Sequence, residues 1–275
     1  MSEVMALAGR FYSDQLIAAL DELATAGPVE RYGGWGVAWC YGTLLEVARA
    51  GRRQPGEKVP GPDAVPRSPA GAGSTGRSRP DVAAAEAAVA PTEASPARDN
   101  YCTQASYDRL RDIKTDLAII RLTDRAEMPA YSRDLQPFLR QETPRPQSFC
   151  APGRLQSPEV LDIGRRITDS SDPAERFLLH VLTSYDEADP LGSLTAMHER
   201  LADEPDQRFM LLNTKTLLVS TWREPTGDDP ALWLGRGGLL RVLAPIRLES
   251  LGEMDWEPVP ARTVMVFNRR RYEAG

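Results

Sequence analysis

The sequence predicts a layered α/β or α+β domain. Short apolar runs typical of buried strands fall into two groups, one in the first half of the chain and one after residue 209. Two segments with helical spacing of apolar residues, near residues 172 and 190, lie between later and earlier strand runs. Because sheets and helices must bury their apolar faces on one another, this order favours sheets covered by helices.

The first elements follow from local patterns. Residues 4–8 form an apolar run consistent with a buried first strand. Ser13-Asp14 can cap a helix whose apolar residues recur at helical spacing until Gly27 ends it. Residues 36–41 and 45–48 are predicted to pair as strands across a glycine turn. A helix covering one face of a sheet is therefore expected near the amino terminus.

The later elements are predicted in the same way. Asp172-Pro173-Ala174-Glu175 has the pattern of a helix start, and that helix should continue to about Thr183. A second helix is expected over residues 190–201, with its apolar residues on one face. The remaining segments are predicted strands or extended chain: 117–122, 134–138, 148–150, 209–213, 216–221, 231–234, 239–243 and 263–267.

Composition limits the classes of function. The chain has 275 residues, 41% of them hydrophobic, enough for the core of one large domain spanning 1–275. A net charge of −6 argues against a nucleic acid as partner, because phosphate binding needs a clustered positive field. No apolar run approaches the length that spans a bilayer, so we expect no membrane role. Three cysteines without an apolar leader predict a cytoplasmic protein without a disulfide framework.

Residues 51–100 differ from the rest of the chain. They contain no Leu, Ile, Met or aromatic residue and hold 8 of the 23 prolines. Such a segment cannot bury enough apolar surface to offset its conformational entropy. We therefore predict a disordered insert within the domain. It is interpreted as a tolerated loop expansion or as a tether for a protein partner.

Several kinds of chemistry lack their residues. The two histidines, His180 and His198, both fall within helical patterns, and no Ser-His-Asp or Cys-His arrangement can be assembled from the sequence. Neither a Cys-x-x-Cys nor a His-Glu-x-x-His spacing occurs, so no metal site is predicted. Phosphate-binding glycine loops are also missing from the sequence, and no cofactor is expected.

The stretch from Gly33 to Trp39 is the strongest local signal. Gly33-Gly34 followed by Trp35 and Gly36 marks a place where the backbone passes close to another group. A Trp beside such glycines can form the floor of a small pocket. The alternative is a strand that enters a sheet through a tight turn.

This stretch also belongs to an ordered series of motifs that resembles the class II glutamine amidotransferase domain. The series consists of Met1 to Ala6, Gly34-Trp35-Gly36, Arg121, Gln136-Pro137-Phe138, residues 149–153 and Glu175. The resemblance covers nearly the whole chain outside residues 51–100. It implies an Ntn-type four-layer sandwich, in which two stacked, mostly antiparallel sheets lie between helical layers.

The resemblance also implies roles for individual residues. Ser2 stands where the family has its nucleophile, and removal of Met1 would free the α-amine that serves as base. Arg121 aligns with the arginine that holds the α-carboxylate of glutamine. Gly153 aligns with the glycine whose N–H contributes to the oxyanion hole. Gly34, Trp35 and Gly36 would line the substrate pocket.

Four positions depart from the family pattern. The nucleophile is Ser2 rather than Cys, and a serine hydroxyl is scarcely ionised at neutral pH. Pro152 replaces the oxyanion Asn and supplies neither a side-chain donor nor an N–H. Pro173 replaces the acidic residue that holds the substrate ammonium, and Gly33 replaces the Asp before the Gly-Trp-Gly motif. These changes predict that the glutaminase site has degraded.

The sequence thus leaves three hypotheses open. The first is a non-catalytic homologue, a pseudoenzyme with a binding or regulatory role. The second is an active amide hydrolase or amidotransferase that uses Ser2 on glutamine or another carboxylate-bearing amide, with Arg121 holding the carboxylate. The third is a tether that works through the insert with a protein partner.

Overall fold

The computed structural model describes residues 2–26, 31–51, 110–111, 113, 115–129, 134–141, 145–152, 155–168, 170, 172–223 and 230–269. These residues belong to one compact unit. The predicted insert at 51–100 lies outside the described residues except for Gly51, and so does Gly153.

The first sheet has seven strands: β1 (Glu3–Gly9), β2 (Tyr32–Tyr41), β3 (Leu44–Gly51), β4 (Leu117–Asp124), β9 (Leu232–Gly237), β10 (Leu240–Ala244) and β11 (Asp255–Val259). Their order in the sheet is β11-β9-β10-β1-β4-β2-β3, and each pair of neighbours is antiparallel. The central strands are β1 and β4, which pair over six residues.

The second sheet has five strands: β5 (Phe138–Arg140), β6 (Gln147–Cys150), β7 (Phe209–Asn213), β8 (Thr216–Ser220) and β12 (Val264–Asn268). Their order in the sheet is β12-β8-β7-β6-β5, and all neighbouring pairs are again antiparallel. Within the described residues, three α-helices with full bounds accompany the sheets: α1 (Ser13–Thr25), α2 (Pro173–Ser184) and α3 (Pro190–Arg200). None of the helices in the described part of the chain is both long and apolar enough to cross a membrane.

Three apolar cores define four layers. The first lies between α1 and the first sheet and includes Leu16 and Leu20 of the helix. The second lies between the two sheets, and the third lies between the second sheet and helices α2 and α3. The order of layers is helix, sheet, sheet, helix. The predicted four-layer sandwich of mostly antiparallel sheets is therefore confirmed.

Alternation along the central strands decides which side chains enter each core. Met5 and Leu7 of β1 face α1, whereas Val4, Ala6 and Ala8 face the second sheet. Successive residues of a strand point to opposite faces, so the face between the sheets continues to Ser2, the residue just before β1. On β4 the same face carries Leu117 and Ile119 and then Arg121. Ser2 and Arg121 are therefore presented at one end of the inter-sheet space.

Some boundaries differ from the sequence prediction. Tyr12 is the N-cap of α1, and its backbone N–H donates to the side chain of Gln15 at 3.0 Å, so Ser13-Asp14 is the first turn rather than the cap. Strand β11 was not predicted, because residues 255–259 include a proline and alternate little in hydrophobicity. The helix start at Asp172 is confirmed, since the carboxylate of Asp172 accepts from the backbone N–H of Ala174 at 2.9 Å.

Candidate functional site

The Ser2 hydroxyl is fully buried and has two partners. Its Oγ donates to Oε2 of Glu127 at 2.5 Å, and it accepts from the backbone N–H of Asp124 at 2.9 Å. Both partners come from the end of β4 and the 3-10 turn that follows it, Arg125–Glu127. A serine hydroxyl that donates to a carboxylate has a group within reach that can take its proton.

Arg121 lies beside Ser2 through the same carboxylate. Its guanidinium is 3.5 Å from Oε2 of Glu127, and the residue is only 4% exposed. In the sheet Arg121 is directly opposite Val4 of β1 and Gly36 of β2. Burial raises the pKa of the Cys150 thiol in β6 to about 12, and the positive charge of Arg121 acts in the opposite direction. The charge of the guanidinium therefore affects Cys150, whose side chain lies in the core between the two sheets.

Three glycines of the first sheet form a seat for one side chain. A Cβ at Gly33 would lie 2.5 Å from Cγ of Met128, and one at Gly34 would lie 3.2 Å from its Sδ. A Cβ at Gly51 would lie 2.9 Å from Cε of the same side chain. Met128 therefore rests on the backbone of β2 and β3 where larger residues would exclude it. The close approach that the sequence indicated at Gly33-Gly34 is made by this methionine.

Gly36 is required by a different neighbour. A Cβ there would lie 2.1 Å from the backbone oxygen of Gln136 and 2.6 Å from Cδ of Pro137. The Gln136–Pro137 peptide bond is cis. Arg49 of β3 lies opposite Gly36, and its guanidinium N–H groups donate hydrogen bonds to the backbone oxygen of Pro137. The segment before β5 is thus held tightly against β2.

Gln136 links this segment to the second sheet and to α2. Its side-chain oxygen accepts from the backbone N–H of Ala151 at 2.7 Å, and its amide nitrogen donates to Oδ2 of Asp172 at 3.3 Å. Asp172 also caps α2, so its carboxylate has two structural tasks. Pro152 follows Ala151 and is buried. It cannot donate a backbone hydrogen bond, and Gly153, the predicted donor, lies outside the described residues.

The structure brings Ser2, Arg121 and Gly36 to the same face of the first sheet but separates Trp35 from them. Trp35 is fully buried in the core under α1, opposite Leu122 on β4. Neighbouring residues on a strand face opposite sides, so the side chain of Trp35 cannot share a pocket with Arg121. The expectation that Trp35 forms the floor of that pocket is corrected accordingly.

Neither Glu127 nor Met128 was predicted from the sequence as a residue of the site. The one available signal was the spacing of Asp124 and Glu127, which resembles a helix start, and Asp124 does accept from the N–H of Ala126 at 2.9 Å. Nothing in that spacing says that Glu127 would meet Ser2, whose position is 125 residues away in the chain.

A Ser–His contact also exists that the sequence did not predict. Nε2 of His198 lies 2.8 Å from Oγ of Ser220, and Nδ1 lies 2.7 Å from Oε1 of Gln207. The imidazole is stacked on Trp222 at 4.7 Å between ring centroids and is fully buried. Because it joins His198 of α3 to Ser220 of β8 and to Gln207 before β7, the network ties a helix to the second sheet, and we interpret it as structural. Within the described ranges, no group of three or more His, Cys, Asp or Glu residues is placed to hold a metal ion.

Comparisons with solved structures agree with the layer order. One match is a structure of the allosteric regulatory enzyme of purine biosynthesis, with a TM-score of 0.63 and 14% sequence identity, covering 97% of this chain. Another is glutamine phosphoribosylpyrophosphate (PRPP) amidotransferase from B. subtilis, with a TM-score of 0.61, 14% identity and 97% coverage. The chain has the fold of a glutamine amidotransferase domain.

The similarity extends over nearly all of this chain but over only part of the two matched proteins. The chain spans about half the length of these two proteins, 47% of each. A predicted glutamine amidotransferase from Pseudomonas aeruginosa PA01 also matches over 98% of this chain and 94% of its own, with 9% identity and a TM-score of 0.47. No family model matches the sequence. A search of curated proteins also finds no match.

Proposed function

We propose that this chain is a class II glutamine amidotransferase-like domain that binds a carboxylate-bearing amide, glutamine or a related molecule, without hydrolysing it. Its role is binding or regulation, through a small ligand and a protein partner. The fold and the names of the structural neighbours support the glutamine-type ligand. The observation that carries the non-catalytic part is the shared contact of Ser2 and Arg121 with Glu127.

This contact engages both groups that a glutaminase needs. The hydroxyl at the position of the nucleophile donates a hydrogen bond to an internal carboxylate instead of facing an amide carbon. The arginine that would hold the substrate has a carboxylate of the same chain at 3.5 Å. Pro152 in addition removes one oxyanion donor, which typically costs about 10²–10³ in rate.

A glutamate-release assay tests this proposal. The purified full chain is incubated with L-glutamine beside the matched variant Ser2→Ala, and glutamate is measured over time. We expect equal rates for the two proteins, at the level of the uncatalysed reaction. Turnover by the wild-type chain that Ser2→Ala abolishes would contradict the proposal.

One observation favours a second candidate, an amide hydrolase with Ser2 as nucleophile. The 2.5 Å hydrogen bond to Glu127 provides a carboxylate that could accept the hydroxyl proton during attack. A glutamine-like electrophile should then form a covalent adduct on Ser2, which peptide mass spectrometry would locate. Intact mass also decides whether Met1 is removed and the α-amine of Ser2 is free. A Ser2 adduct absent from Ser2→Ala would favour this candidate over the first.

A further inference from the structure

We propose that residues 125–128 form an internal plug of the Ser2–Arg121 site, in which the carboxylate of Glu127 occupies the position of a ligand's carboxylate. This inference rests on the proposed function, because it describes how the same binding site is regulated. A small molecule with a free carboxylate binds by displacing Glu127.

The contact of Glu127 with Ser2 and Arg121 has the chemistry of a carboxylate-binding site. Oε2 of Glu127 is 2.5 Å from the Ser2 hydroxyl and 3.5 Å from the guanidinium of Arg121. A hydroxyl donor and a guanidinium are groups that bind a carboxylate well. Ser2 is fully buried and Arg121 nearly so, whereas the side chain of Glu127 is 22% exposed. The carboxylate therefore lies on the solvent side of the two groups, as an entering ligand would.

The residue after Glu127 holds the carboxylate in this position. Met128, the next residue, rests on the backbone at Gly33, Gly34 and Gly51. Its neighbour Glu127 is thereby placed over Ser2 and Arg121. The glycines and the methionine act as a matched pair, because a Cβ at any of the three positions would lie 3.2 Å or less from the Met128 side chain. Met128 is thus a positioning residue for the plug.

The plug, residues 125–128, can leave the site without breaking strand pairs of the sheet. The last strand pair beside it joins Tyr32 and Asp124, and residues 125–128 take part in none of the strand pairings described for the chain. A backbone bond from Arg125 N to Arg31 O at 2.8 Å and the cap from Asp124 to the N–H of Ala126 are among the contacts that hold the turn. Arg125 and Ala126 are exposed. Such a short surface turn belongs to the low-stability parts of a fold.

The consequence is competition between the plug and a ligand. The apparent dissociation constant of a ligand is its intrinsic value divided by the fraction of molecules with the plug open. Removing the charge of Glu127 raises that fraction and takes away the carboxylate that lies 3.5 Å from the guanidinium of Arg121. Weakening the seat of Met128 raises it without changing any charge.

The experiment measures L-glutamate binding to the full chain by isothermal titration calorimetry. The variants are Glu127→Gln, Met128→Ala, the double variant Arg121→Gln with Glu127→Gln, and Glu187→Gln. The last removes the carboxylate of a more exposed ion pair with Arg145 and serves as the matched control. Thermal melting verifies that each protein is folded, and Met128→Ala tests the plug even where Glu127→Gln does not fold.

We expect Glu127→Gln to bind L-glutamate roughly tenfold or more tightly than wild type. Met128→Ala should change affinity in the same direction, Glu187→Gln should not change it, and the double variant should lose the gain. Equal or weaker binding by both Glu127→Gln and Met128→Ala overturns the plug, as does a gain that survives Arg121→Gln or an absence of binding to every folded protein. Hydrolysis of L-glutamine would contradict the proposed function instead, and the affinities for L-glutamate would still test the plug.

Discussion

The clusters around His198 and around Ser2 are both buried polar networks, yet different parts of the fold hold them in place. His198 lies on α3 and bonds to Ser220 at the end of β8 and to Gln207 before β7, and it is stacked on Trp222. Ser2 depends on Glu127, which belongs to a three-residue turn at the surface. Burial alone therefore does not distinguish a structural network from a contact such as Ser2–Glu127, which we propose to be exchangeable.

The largest difference should appear in stability. His198→Ala removes a buried ring and leaves the polar groups of Gln207 and Ser220 with fewer partners, so we expect the free energy of unfolding to fall by about 3–5 kcal/mol. Urea denaturation measures this. Glu199→Ala, at an exposed position on the same helix, should change it by less than about 0.5 kcal/mol. A loss below about 1 kcal/mol for His198→Ala would show that this network is as exchangeable as the other.

The His198 network should also make stability depend on pH. Burial lowers the pKa of His198 to about 4, against the hydrogen bond that its Nδ1 donates to Oε1 of Gln207, which raises the pKa. Between about pH 6.5 and pH 4 the unfolded chain therefore binds a proton at this residue that the folded chain does not. Stability should fall by about 2–3 kcal/mol as pH decreases through this range, and the effect should be absent above it.

Urea denaturation at several pH values compares wild type with His198→Gln, in which carboxylate titrations are the same but the imidazole is missing. The slope between pH 4 and pH 6.5 should be smaller in the variant. Identical slopes would mean that His198 is protonated equally easily in both states.

A backbone contact near the site should have an intermediate effect. Gly36→Ala places a methyl group 2.1 Å from the backbone oxygen of Gln136, so the segment before β5 must shift. We expect a loss of about 1–3 kcal/mol in the free energy of unfolding. Gly237→Ala in β9 is the control, since its nearest atom lies at 3.3 Å. Equal losses for the two variants would count against the tight contact between Gln136 and β2.

The smallest effect on stability is expected at Ser2 itself. Ser2→Ala removes one hydroxyl, while Glu127 keeps its ion pair with Arg121, so the expected loss is about 1 kcal/mol. Chemical denaturation beside His198→Ala gives the direct comparison. A loss as large as that of His198→Ala would mean that the site is built as part of the core.

Much of the fold could be predicted from local patterns. The apolar runs at residues 4–8 and 117–122 located the two central strands, and the cap at Asp172 located α2, because these signals are local. The adjacency of Arg121 and Gly36 agrees with the order of motifs in the resemblance. The expected place of Trp35 was wrong because adjacent residues on a strand face opposite ways, a rule that the sequence alone could have supplied.

The contents of the site could not be predicted in the same way. Glu127 reaches Ser2 only because β1 and β4 are neighbours in the sheet, and the seat of Met128 needs glycines from both β2 and β3. The contact between His198 and Ser220 likewise joins a helix to a strand 22 residues later. Such contacts depend on tertiary packing that no local pattern encodes.

The most direct test of the non-catalytic account is glutamate release from L-glutamine by Ser2→Cys, which restores the nucleophile that the resemblance implies. Pro152, at the position where the resemblance implies the oxyanion donor, still supplies none, and the loss of one such donor costs about 2.7–4 kcal/mol in the barrier. Glu127 still lies at 3.5 Å from Arg121. We expect no measurable hydrolysis by Ser2→Cys and a larger gain when Pro152→Asn is added than from either change alone. Robust hydrolysis by the single variant Ser2→Cys would show that the site is intact and would contradict the proposal of a non-catalytic domain.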